Sequence, residues 1–206
     1  ATILLTILLP VLSLPVQALT HVSGSISSNT IWDVAGSPYW VDSDITVEEG
    51  VTLTIEPGVV VKMEFNHGTY SGGYQYTTRF IVNGTLVAQG TPVNKIFFTS
   101  IRDDSVAGDT NGDGGATTPA SADWRSIFVQ NGATLTLRDA QVAYGGSAGY
   151  ANLTTTSGTV TDVSWIGGGS RSSATDGLRL TAATSRQPGR SNSTRVPVPN
   201  CRLAIR

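Results

Sequence analysis

Ile45-Thr46-Val47-Glu48-Glu49-Gly50-Val51-Thr52-Leu53-Thr54-Ile55 decides the fold. An alternating apolar strand runs into a turn containing Gly, and a second alternating strand anchored on Leu53 leaves it. The unit returns as Phe80-Ile81-Val82-Asn83-Gly84-Thr85-Leu86-Val87-Ala88, and again as Ile127-Phe128-Val129-Gln130-Asn131-Gly132-Ala133-Thr134-Leu135-Thr136-Leu137. A weaker copy around Gly158-Thr159-Val160 leads into Val163, Trp165 and Ile166, and Gly177-Leu178-Arg179-Leu180 opens a fifth. Apolar residues alternate with Thr, Glu, Arg and Gln, the two-residue period of a half-buried strand, and no helical period competes with it.

The distances between anchors carry the architecture. Leu53 and Leu86 stand 33 residues apart, Leu86 and Leu135 49, and Leu135 and Val160 25. Residues 64–78 form an excursion rich in Tyr and Gly, and residues 102–123 a second one rich in Asp and Gly. With both removed, the period falls to roughly the low-to-middle twenties, within the range of solenoid repeats. One such unit cannot bury its own apolar face. Stacked units can, because each strand then pairs with its equivalent in the next coil and the apolar positions form one column. The inward positions expected are Ile45, Val47, Leu53, Ile55, Ile81, Leu86, Ile96, Phe98, Ile127, Val129, Leu135, Leu137, Val142 and Tyr144. An antiparallel sandwich would also show short strands and turns, but recurrence of one unit with insertions of variable length favours the coil.

Three segments arriving in order resemble bacterial β-helix repeat surface proteins. They are Ile31-Trp32 through Ser37-Pro38-Tyr39-Trp40-Val41 and on to Gly50 through Lys62; Asn83 through Pro92 followed by Ile96 through Ser100; and Asp123-Trp124-Arg125-Ser126-Ile127. The resemblance covers about residues 23–146. It implies an all-β, single-stranded, right-handed parallel β-helix over residues 19–184, of the architecture shared with the pectate-lyase-like superfamily. It also implies a cell-surface or adhesin-like module, and it speaks to fold more firmly than to function.

The opening residues point to export. Ile3 through Leu9 begin an apolar run that continues to Val16, with no Asp, Glu, Lys or Arg before Asp33. Val16-Gln17-Ala18 places small residues where a signal peptidase reads, so residues 1–18 are expected to be a signal peptide cleaved after Ala18. A retained anchor needs about 20 apolar residues, and Pro10, Pro15 and Gln17 interrupt the run. The expected product is secreted or surface-displayed, with no stable membrane span. The chain has one Cys, so the fold must stand without an internal disulfide. Its formal net charge of −2 gives no reason to expect nucleic acid as a partner.

The second excursion holds the candidate chemistry. Asp109, Asn111 and Asp113 alternate and Gly114 follows, which matches the first half of a calcium loop: oxygen ligands at every second position and a Gly for the sharp turn. Where that loop should end on a bidentate Glu, this chain has Ala120, so Asp103, Asp104 or Asp123 would have to complete the site. Calcium is the candidate cofactor, in a structural role. The bland alternative is a solvated turn whose Asp, Asn and Gly suit loop geometry. The first excursion places Tyr70, Tyr74 and Tyr76 near Phe65 and His67, rings able to stack on a carbohydrate or a partner protein, or simply to pack over the coil. His67 has no neighbouring Cys or second His to make a metal site or triad.

No strand carries the cluster of carboxylates that glycan cleavage requires, so no catalytic residue is assigned. The expected function is a non-catalytic extracellular structural or adhesive module, calcium-stabilised, meeting carbohydrate or a cell-surface partner. The competing expectation is a carbohydrate-active enzyme fragment (lyase- or hydrolase-like), or its glycan-binding portion. Residues 185–206 carry five Arg and no acid and lose the alternation, so they read as an irregular basic tail beyond a coil cut short at its C-terminal end.

Overall fold

A computed structural model describes residues 19–65, 77–146, 152–155 and 158–166, together with the backbone of 170–172, 179–181 and 184–186. Residues 1–18, read from the sequence as a signal peptide, the aromatic stretch 66–76 and residues 187–206 lie outside the described residues.

Seventeen strands are described, all paired in parallel. In chain order they are β1 Thr20–Ile26, β2 Thr30–Trp32, β3 Tyr39–Val47, β4 Thr52–Ile55, β5 Val60–Met63, β6 Arg79–Val82, β7 Thr85–Gln89, β8 Ile96–Ser100 and β9 Ser126–Val129. They continue as β10 Thr134–Arg138, β11 Ala140–Ala143, β12 Leu153–Thr155, β13 Thr159–Thr161, β14 Ser164–Ile166, β15 Ser170–Ser172, β16 Arg179–Thr181 and β17 Thr184–Arg186. Among the described residues one 3-10 turn, Val34–Gly36, interrupts the series.

The strands stack into three ladders. One runs from the first half of β3 through β5, β8, β11 and β14 to β17. A second runs from the other half of β3 through β6, β9 and β12 to β15, and the long β3 joins these two into one curled eleven-stranded sheet. The third, β2-β4-β7-β10-β13-β16, is a separate six-stranded sheet. Each coil therefore contributes one strand to each ladder, an arrangement compatible with a solenoid. Strands 52–55, 85–89 and 134–138 are in-register parallel neighbours, with Leu53 opposite Leu86 and Leu86 opposite Leu135.

Inward residues form one continuous core. Ile45, Phe80, Ile127 and Leu153 follow one another along the second ladder, all buried. At the N-terminal end the column is aromatic: Trp32 stacks on Tyr39 at 4.6 Å between ring centroids, and Phe80 meets Trp32 and Phe98 edge-on. A fully buried side chain of this size contributes about 1.5–3 kcal/mol, so the column dominates stability.

Three sequence expectations shift. Ile81 points outward between Thr46 and Phe128, while Phe80 and Val82 take the interior. Val160 pairs with Leu137, two residues beyond the Leu135 anchor. Tyr144 sits half-buried at a corner with φ 63° instead of ending a strand. At the far end, Ser185 and Arg186 continue the first ladder opposite Trp165 and Ile166, so strand pairing reaches two residues into the segment read as tail.

Candidate functional site

Three long connections join strands across the same corner of the described coil. Residues 64–78 join β5 to β6, 101–125 join β8 to β9, and 144–152 join β11 to β12, each crossing from the first ladder to the second. The 101–125 connection is described throughout, and it folds back over the outer face of the first ladder.

There it covers Lys62. This residue lies between Trp40 and Thr99 on the outward side of β5, a position that would normally face water, yet it is fully buried. Its Nζ donates a 2.7 Å hydrogen bond to the carbonyl of Gly108. Burial pushes the ammonium below its usual pKa, while Asp103, Asp104 and Asp109 oppose that shift. Sequence reasoning missed Lys62. The available signal was a lone cation inside the apolar run Val59-Val60-Val61-Lys62-Met63.

Of the six proposed oxygen ligands, the five aspartates separate into two groups, and Asn111 stands apart from both. Asp103 and Asp123 are buried and anchor the excursion. Asp103 accepts from the Thr99 hydroxyl at 2.6 Å and from the Ser105 hydroxyl at 2.5 Å. Asp123 accepts from the Ser100 hydroxyl at 2.6 Å, from the Ala120 amide at 3.1 Å and from Arg102 at 3.2 Å. The guanidinium of Arg102 also stacks 4.2 Å from the ring centroid of Phe65, tying the start of the first excursion to the second.

The outer group is Asp104, Asp109 and Asp113, each offering an oxygen within 4.8 Å of the others. Gly112 and Gly114, at φ 71° and 67°, bend the chain so that its amides point inward. Asp109 accepts from the amides of Gly112, Asp113 and Gly114, and Asp113 from those of Gly115, Ala116 and Thr117. The Thr117 hydroxyl, foremost, and then these amides hold the Asp113 carboxyl below the usual carboxylate range. Asn111 turns its amide nitrogen toward Asp113 and Thr117. Asp104 differs from its neighbours, because its Oδ1 is buried without a hydrogen-bond partner. A buried carboxylate oxygen left without a donor is costly, and a cation held between these three carboxylates would satisfy it.

Tyr70, Tyr74, Tyr76 and His67 fall in the undescribed stretch, so their geometry is outside the described residues. No helix among the described residues is long and apolar enough to cross a membrane.

No family model and no solved structure matches the chain. A curated protein of Drosophila melanogaster, Protein bark beetle, is 36% identical over 77 residues, which is 37% of this chain. The match spans only 2% of the length of that protein.

Proposed function

We propose that the chain is a non-catalytic structural or adhesive module of the cell exterior: a right-handed parallel β-helix with pectate-lyase-like architecture, displaying a calcium-ordered loop. One observation carries this reading. Three long connections join the first ladder to the second at one corner, and the fully described one gathers three carboxylates, one of which has a buried oxygen without a hydrogen-bond partner. Rigid scaffolds with function on their loops are a general pattern. Support for the handedness is physical, since crossovers between parallel strands of one sheet are right-handed in about 98% of cases. The apolar leader Ile3 through Val16, with its Val16-Gln17-Ala18 cleavage site, supports export. Carbohydrate or another cell-surface component is the partner that suits this placement.

Calcium would be held by Asp104, Asp109 and Asp113, with Asn111 turning its oxygen inward as it binds. Hard oxygen ligands on a flexible Gly-rich loop suit this ion. An ion bound only by the folded state stabilises it by about 2.7 kcal/mol at a hundredfold excess over the dissociation constant. In a chain of this length that corresponds to a rise in Tm of about 5–10 °C. The experiment compares melting with calcium and with chelator, in wild type and in Asp109→Ala/Asp113→Ala. The expected result is a calcium-dependent rise in wild type alone. Equal melting in all four samples would leave the loop an ordinary turn.

A further inference from the structure

A second concave site lies at the next corner of the repeat after the Asp-rich excursion, where the second ladder turns into the third. Consecutive coils differ there in turn length. β3 reaches β4 through Glu48-Glu49-Gly50-Val51 and β9 reaches β10 through Gln130-Asn131-Gly132-Ala133, whereas β6 reaches β7 through Asn83-Gly84 alone. The short turn is locked in place. The Asn83 and Gly84 amides both reach the Val47 carbonyl, and the carbonyls of Glu48 and Val51 crowd the place where a Cβ on Gly84 would stand. A coil with a two-residue turn between coils with four-residue turns leaves a notch. Its volume is about 490 Å³, with Asn83 and Gly84 as floor and Glu48, Glu49, Gln130 and Asn131 in its walls.

The lining selects the chemistry of an occupant. Two Glu and three side-chain amides line it, and the described lining holds no Lys, Arg or aromatic ring. An anion would meet two negative charges with no cation to offset them. A lipid or an aromatic ligand would find no apolar wall, which such ligands need. A neutral ligand carrying adjacent hydroxyls fits. Carboxylates accept from hydroxyls, while an amide both donates and accepts across one planar group. The Oε1 of Glu48 is already taken by the Ser25 hydroxyl, which donates at 2.6 Å from β1, outside the notch, so Glu48 borders the notch and Glu49, Asn83, Gln130 and Asn131 supply its polar groups. Three turns cover two inter-strand spacings, about 10 Å, which is the length of two linked sugar rings.

We propose that the notch between the turns 48–51, 83–84 and 130–133 binds a neutral oligosaccharide, about two sugar units at a time. The site supplies a ligand class for the adhesive reading and rests on it. Its occupant is recognised by hydroxyl pairing to Glu49, Asn83, Gln130 and Asn131.

The experiment titrates the ¹⁵N-labelled protein with cellotetraose, xylotetraose, mannotetraose and, as the anionic control, tetragalacturonate. The readout is the set of side-chain amide signals of Asn83, Gln130 and Asn131. At least one neutral tetrasaccharide should shift these signals saturably, tetragalacturonate should not, and Asn83→Ala/Gln130→Ala should weaken binding at least tenfold with an unchanged spectrum elsewhere. Unmoved signals with all three neutral sugars, or equal binding of tetragalacturonate, would overturn the proposal. Saturable shifts confined to residues outside the notch would overturn it too, while leaving the adhesive reading intact.

Discussion

Inside the coil, Leu53, Leu86 and Leu135 stand directly opposite one another, and all three belong to one buried apolar cluster. Outside it, residues 102–123 are held by bonds that occur once: Thr99 to Asp103, Ser100 to Asp123, Lys62 to Gly108. The first kind of structure is redundant and nearly non-directional, so it tolerates insertions between strands and repeats itself. The second depends on individual donors and acceptors finding each other. Replacing one residue in each region should therefore fail differently.

The largest effect belongs to the column. Phe80 is fully buried, with Trp32 at 5.9 Å and Phe98 at 6.0 Å between ring centroids. Phe80→Ala removes the middle ring of three and leaves a cavity that neighbouring strands cannot close without breaking register. The expected loss is about 3–5 kcal/mol, read as a lowered midpoint in urea with one cooperative transition. A loss under 1 kcal/mol would mean that the aromatic end of the coil is not the tightly packed structure described.

Asp123→Ala should come next. It strips acceptors from the Ser100 hydroxyl, the Ala120 amide and Arg102 at a site where the carboxylate is only 3% exposed. Leaving such groups unpaired costs about 2–3 kcal/mol. Hydrogen exchange should accelerate between residues 101 and 125 while the amides of β4, β7 and β10 stay protected. Uniform acceleration throughout would erase the distinction between column and excursion.

That distinction also explains what could be read from the sequence. The third ladder was legible to the residue at Leu53, Leu86 and Leu135, because each Leu follows a Gly-bearing turn and is preceded by a Thr. Phe80-Ile81-Val82 was ambiguous, since three consecutive apolar residues fit either phase of a two-residue period. Only pairing with Ile45 and Ile127 decides for Phe80. Val160 was misplaced by two residues because Leu135 and Leu137 are equally good anchors on one face. In the excursion, the acids could be seen as a group, but not their division. Asp103 and Asp123 are drawn away by Thr99 and Ser100, residues on a strand that sequence distance alone does not bring near in a defined orientation. The notch between the turns was invisible for a similar reason, because it arises from a difference in turn length between coils and has no motif of its own.

The smallest expected effect tests the exposed tip of the excursion. In the folded chain the Asp113 carboxyl titrates below its ordinary value of 3.8, because the Thr117 hydroxyl and then the surrounding amides donate to its charged form. An unfolded loop would take up the proton near 3.8. The bonds to Asp113 thus contribute fully above that pH, and their contribution fades as the pH falls from there through the lower folded value. The group is exposed, so the coil should not notice the loss. In chelator, the amide signals of Gly115, Ala116 and Thr117 should lose exchange protection as the pH drops below about 4, while those of β7 and β10 remain. Asp113→Asn carries no titrating group at this position, so the acid step at these three amides should vanish, leaving a pH-independent and weaker protection. If wild type and Asp113→Asn share the same acid profile at these amides, the order of the loop tip does not depend on this carboxylate. The division between a self-sufficient column and a loop held by single bonds would then fail at its outermost point.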